Sequence, residues 1–163
     1  MTPKQDGEGE ISLKQKIDFD MKAAHKGKES LKLGVLRMLK SEIRYKEIEK
    51  GSELSNDEVI SVLSSSTKKR RDSIQQFEKA GRDDLVSQEK AELEVVLGYL
   101  PEQLTEEKLS QLIRQAIQDA NATNPSDLGK VMKLILPQVK GKAEGKAIHQ
   151  LVTSQLQSLS SSE

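Results

Sequence analysis

The chain contains no cysteine and no tryptophan, and Phe19, Tyr45, Phe77 and Tyr99 are its only aromatic residues among 163. Without cysteine there is no disulfide framework, no cysteine–zinc site and no thiol nucleophile, a pattern compatible with a reducing compartment. Four aromatics are too few for a platform on which single-stranded bases stack, so any nucleic acid would be held by shape and backbone. Net charge is missing as well: 26 basic and 26 acidic residues cancel, and a nucleic-acid site would have to be local. No hydrophobic run approaches the length of a membrane span, and no membrane partner is expected. The stretch Met1–Glu10 has no apolar signal-peptide core and is too acidic for a transit peptide. Residues 1–11 are expected to form a disordered tail, and the protein is expected to be cytoplasmic. The two histidines, His25 and His149, fall in different predicted regions, so no metal site and no cofactor are predicted. Neither a phosphate-binding Gly-x-x-x-x-Gly-Lys-Ser/Thr loop nor a dinucleotide Gly-x-Gly-x-x-Gly turn is present.

What the chain has is helical periodicity. Ser12 with Gln15 and Ser55 with Glu58 have capping-box spacing, and Thr105 stands before Glu106 and Glu107 as a further N-cap. Apolar stripes accompany these and the intervening helix: Leu13, Ile17, Met21 and Ala24; Leu31, Val35, Met38, Leu39 and Ile43; Val59, Val62, Leu63, Thr67, Ile74 and Phe77; Leu109, Leu112, Ile113, Ala116, Ile117 and Ala120. His25–Lys28 reads as a turn, Gly51 and Gly81 as helix ends, and Asp83 or Asp84 as the cap of a helix running to Leu100. Glu89, Glu92 and Glu94 make that helix acidic, and it is expected to pair antiparallel with the preceding helix and its basic run Lys68–Arg71. No stretch alternates as a strand would. The prediction is all-α: an N-terminal helical region of about four helices (12–100), a boundary at Pro101, a three-helix C-terminal domain (103–157) and a frayed tail (158–163).

The stretch from Asn124 to Lys146 concentrates charge. Asn124 is an N-cap candidate with Pro125 at the first helical position, and Leu128, Val131, Met132 and Ile135 share one face, with Pro137 predicted to end the helix. Lys130, Lys133, Lys140, Lys142 and Lys146 face only Glu144 between Leu128 and Ile148; five minus one gives +4. Gly129, Gly141 and Gly145 lie among them and allow close backbone approach. A solvated lysine face is the plain alternative; a phosphate-contact surface, with Arg70 and Arg71 as extensions, is the sharper one. Catalytic motifs are weaker. Ser64-Ser65-Ser66-Thr67-Lys68 lies inside a predicted amphipathic helix rather than the strained loop a serine–lysine nucleophile needs. The glutamates read as an exposed face, and Tyr99 as a core residue with a hydrogen-bonded hydroxyl.

Four motifs in order carry a family resemblance: Arg70-Arg71-Asp72-Ser73-Ile74 through Phe77–Leu85; Tyr99-Leu100-Pro101-Glu102-Gln103-Leu104; Asp127-Leu128-Gly129-Lys130-Val131-Met132; and Val139–Lys146. Together they resemble the GatB/YqeY family, in its stand-alone YqeY form, from about Leu13 to Leu156. Two small departures are Glu144 where the family often has aspartate and Leu128 where it often has methionine. The resemblance implies an all-α protein similar to the tail of the B subunit of the tRNA-dependent amidotransferase, a tail that engages the outer body of tRNA while the active sites lie elsewhere. The family label, carbon–nitrogen ligase with glutamine as amido-N-donor, reads as inherited from that complex. The expectation is therefore a non-catalytic module for tRNA or other structured RNA. The alternatives are an adaptor docking on an amidotransferase-type protein complex, or a ligase in its own right.

Overall fold

The computed structural model describes residues 10–162. The expected tail at 1–11 lies outside the described residues except for Glu10 and Ile11. Among the described residues there are seven α-helices and no strand: α1 (Leu13–Lys26), α2 (Ser30–Lys50), α3 (Asn56–Lys79), α4 (Asp83–Leu97), α5 (Glu106–Asp119), α6 (Leu128–Val139) and α7 (Gly145–Ser160). The chain is all-α and divides into two compact units, Met1–Tyr99 and Leu100–Glu163.

Local chemistry sets the helix starts. Ser12 and Ser55 accept from the N–H groups of Gln15 and Glu58, whose side chains reach back to the cap N–H, so both capping boxes are closed. Thr105 accepts from Lys108 N–H, and Gly51 ends α2 in the left-handed conformation at φ 80°. The expected cap of α4 is corrected: Arg82 is the N-cap, and Asp83 and Asp84 belong to the first turn. The Asp84 carboxylate is taken by the Arg82 guanidinium, whose Nε and Nη2 donate at 3.1 and 3.0 Å. The turn after α1 is also shorter than expected, because His25 and Lys26 remain helical and Lys28 adopts φ 56°.

In the N-terminal unit the core is Ile17, Ala24, Val35, Leu36, Leu39, Ile43, Val59, Leu63, Ile74, Val86 and Val96. Burying each of the larger aliphatics contributes roughly 1.5–3 kcal/mol. Two members of the expected α2 stripe, Leu31 and Met38, are exposed, and Leu36 is buried instead. The acidic helix pairs with the basic one as expected: Lys90 meets Glu78 at 3.4 Å near the turn. Further from the turn Arg70 meets both Glu89, at 3.2 Å, and Glu92. Tyr99 closes the unit; it is buried and its hydroxyl donates to Asp20 at 2.5 Å, with Lys16 Nζ 5.4 Å above the ring. Burial and the Asp20 carboxylate push the phenol above its ordinary value.

The C-terminal unit packs α5, α6 and α7 around Leu109, Ile113, Ile117, Val131, Ile135, Val139, Ile148, Val152 and Leu156. Asn124 does cap, accepting from Ser126 N–H, but it opens a 3₁₀ turn over Pro125–Asp127, and α6 starts only at Leu128. Pro137 does not end α6. The helix runs on to Val139, which is fully buried and draws the last turn into the core, while Gln138 Nε2 donates to the Leu134 carbonyl. Helix α7 reaches Ser160, beyond the expected 157; Ser158, Ser160 and Ser161 hydroxyls donate to carbonyls three or four residues back.

Candidate nucleic-acid interface

Helix α6 buries Val131, Ile135 and Val139, which places the other side of the helix outward. At 100° per residue, Lys130, Lys133 and Pro137 fall on that outer side, and Lys140 continues it as the residue after the last turn. Lys130, Lys133 and Lys140 are exposed. Lys130 is tethered by Asp127 at 3.3 Å. Asp127 is held below the usual carboxylate range, first by the Thr123 N–H and then by Lys130. Counting Asp127, the run from 127 to 146 carries five lysines against two acids, a local +3.

The α6–α7 connection is a braced loop. Gly141 takes φ 72°, a conformation that suits glycine. Lys142 N–H donates to Val139 O at 2.9 Å and Leu104 N–H donates to Lys142 O at 2.8 Å. Gln103 Nε2 donates to Gly141 O at 2.7 Å and to Pro101 O at 3.0 Å. The segment 101–104 thus straps the loop that carries Lys140 and Lys142. Lys146 is exposed in the first turn of α7, where the N–H groups of a helix start point outward. Around Gly129 and Gly145, the position of an added Cβ has no neighbour within 4 Å.

Gln103 and Leu104 belong to the site although the charge pattern of the sequence does not point to them. The available signal was their place in a family motif, but nothing in the sequence showed that this motif meets the glycine–lysine loop. Arg70 is the correction in the other direction. Its side chain is 7% exposed and engaged by Glu89 and Glu92, with Nη2 also 3.5 Å from Met38 Sδ. It is a buried structural cation between α3 and α4, not a surface contact for phosphate. Arg71 is half-buried on α3. The Ser64–Lys68 run sits within α3, as expected, where Thr67 donates back to Ser64 O at 2.7 Å.

The family model for the Yqey-like proteins matches residues 14–156 of this chain. The chain belongs to the YqeY-like family. Three similar fungal proteins are each described as "Altered inheritance of mitochondria protein 41, mitochondrial". That of Pyrenophora tritici-repentis is 28% identical over 130 residues, covering 78% of this chain and 71% of the relative. That of Kluyveromyces lactis is 31% identical over 145 residues, 86% of this chain and 72% of the relative. That of Lachancea thermotolerans is 31% identical over 110 residues, 66% of this chain and 59% of the relative. The matched stretch takes in all four motifs, from Arg70 to Lys146. Among the described residues no helix is long and apolar enough to cross a membrane.

Proposed function

We propose that this YqeY-like protein is a non-catalytic module that binds structured RNA, tRNA foremost, through phosphates. The observation that carries the reading is the bracing of the α6–α7 loop: Gln103 and Leu104 fix the backbone at Gly141 and Lys142, so Lys140 and Lys142 stand on a positioned platform. Lys130 and Lys133 extend it along α6, and Lys146 lies at the positive end of the α7 dipole. Cations on a fixed backbone lose less entropy on meeting a phosphate than the same cations on a mobile tail. The family's amidotransferase connection favours tRNA, and the scarcity of aromatics favours folded RNA over single strands. The cytoplasm is the compartment in this reading; the relatives' descriptions make mitochondria the alternative, which fractionation decides.

The test is titration of purified protein with total tRNA across salt concentrations. Binding should weaken steeply with salt, and the Lys140→Ala/Lys142→Ala/Lys146→Ala variant should lose about one unit of log–log slope per phosphate contact removed. Charge reversal at Lys142 and Lys146 that leaves affinity intact would overturn the reading and favour a protein-docking adaptor.

A further inference from the structure

Helix α2 has two apolar faces; the fold buries one and touches the other at its edge, where Arg70 Nη2 lies 3.5 Å from Met38 Sδ. Val35, Leu36, Leu39 and Ile43 are buried in the N-terminal unit. The second face runs through Leu31, Gly34, Met38, Ser41, Tyr45 and Ile48, alternately three and four residues apart. That spacing keeps a continuous seam along two helices packed side by side. Leu31, Met38, Tyr45 and Ile48 remain 44%, 50%, 62% and 67% exposed. Gly34 lies inside the helix with nothing within 4 Å of an added Cβ. A mid-helix glycine lowers helix stability, and no neighbour in the chain requires one here. A glycine and a serine at alternate seam positions do suit the close approach of a second helix.

Charge selects the occupant. Arg37 and Arg44 flank the seam on one side, Glu42 and Glu49 on the other. When two such helices pack in parallel, each flanking residue meets one five positions further along the other helix. Arg37 then meets Glu42 of the second copy, and Arg44 meets Glu49. Twofold symmetry repeats both contacts, so four ion pairs form. Antiparallel packing would instead set arginine against arginine and glutamate against glutamate. Arg44 is 73% exposed and its contact with Glu47 is long, at 3.9 Å; Glu42 likewise meets Lys69 at 3.9 Å. Glu49 is 48% exposed and would exchange or share its 2.8 Å contact with Lys46.

We propose that the outer face of α2 is a self-association seam on which two copies of this chain pack in parallel. The seam spans about 25 Å of helix, at 1.5 Å per residue, and is small for a stable interface, so the dimer is weak and concentration-dependent. The inference is independent of the RNA reading, because it rests on α2 alone and uses none of the five lysines.

The absence of cysteine from these 163 residues makes a clean test possible in the whole chain. In the parallel arrangement Ile48→Cys meets its own copy within disulfide reach, and so does Leu31→Cys. In an antiparallel arrangement position 48 lies beside position 31. Expected results are disulfide dimers of each single variant under mild oxidation, and no mixed product when the two variants are combined. Sedimentation equilibrium should show a monomer–dimer equilibrium, weakened roughly tenfold by Arg44→Glu or Glu49→Arg alone and recovered in the R44E/E49R double variant. Tyr45→Glu should abolish the dimer with an unchanged circular dichroism spectrum, since Tyr45 is already largely exposed in the monomer. A monomer at several hundred micromolar, mixed 31–48 crosslinks, or a double variant no tighter than either single one would overturn the proposal.

Discussion

Arg70 concentrates more consequence than any other side chain in the N-terminal unit. Its guanidinium is buried between two carboxylates, Glu89 at 23% and Glu92 at 18% exposure. Arg70→Ala leaves two half-buried anions facing each other and should cost about 3–5 kcal/mol in urea unfolding. A loss below about 1 kcal/mol would mean the carboxylates rehydrate. The same substitution, measured where the protein is still folded, should leave the salt slope of tRNA binding unchanged. Tyr99→Phe should cost about 1.5–3 kcal/mol, because Asp20 loses its hydroxyl donor. Acid should weaken the fold through Glu47 and Glu58. Glu58 is held down to about 2, first by Lys50 and then by the Ser55 N–H; Glu47 is lowered, first by Lys14 and then by the Leu54 N–H. Both are depressed in the folded state, so the unfolded chain binds more protons in acid. Their contribution is complete above the ordinary carboxylate range and drains away as pH falls from about 5 toward 2. The unfolding midpoint should drop across that window, less steeply in Lys50→Met. The caps at Ser12, Ser55, Thr105 and Asn124 could be read from sequence because each involves residues within four positions of one another. The pairing of the basic and acidic helices was legible too, but the burial of Arg70 between Glu89 and Glu92 was not, since these lie 19 and 22 residues away on another helix.

The glycines of α2 and α6 separate stability from recognition. Gly34→Ala and Gly129→Ala place a methyl in open space and should each stabilise the fold by up to about 1 kcal/mol. If Gly129 serves close RNA approach, its variant melts later and binds tRNA less tightly; equal binding would reduce it to an ordinary helix residue. Gly141→Ala should destabilise by about 1–2 kcal/mol, because φ 72° places a Cβ against the following carbonyl. Gln103→Ala should speed amide exchange of Lys142, whose N–H closes the turn that Gln103 helps hold. Helix existence was legible because 3.6-residue periodicity is a local signal. The inward face of α2 was not, because Leu31, Met38, Tyr45 and Ile48 compete with Val35, Leu36, Leu39 and Ile43, and only tertiary packing chooses. Pro137 misled for a related reason: it stops a helix by propensity, but burial of Val139 outweighs the lost hydrogen bond.

On the proposed reading, a chain with no net charge confines its polyanion contacts to one of its two units. All five lysines lie in Leu100–Glu163, so that unit expressed alone should show the salt slope of the full chain; a markedly shallower slope would show that the N-terminal unit contributes contacts. The lysines themselves were legible as a run in the sequence. Their bracing was not, because it links residues 38 apart. That bracing reaches beyond affinity. Gln103 and Leu104 lie just past Leu100, where the chain enters the C-terminal unit, and they hold the loop by single hydrogen bonds. On the proposed reading, RNA binding that stiffens the loop makes the strap harder to peel, and by reciprocity a pull on the entering chain loosens the grip on RNA. The lysine platform is therefore mechanically addressable: an optical-trap experiment that loads the chain at Leu100 should shorten the lifetime of bound tRNA, and Gln103→Ala should reach the same shortening at a lower force.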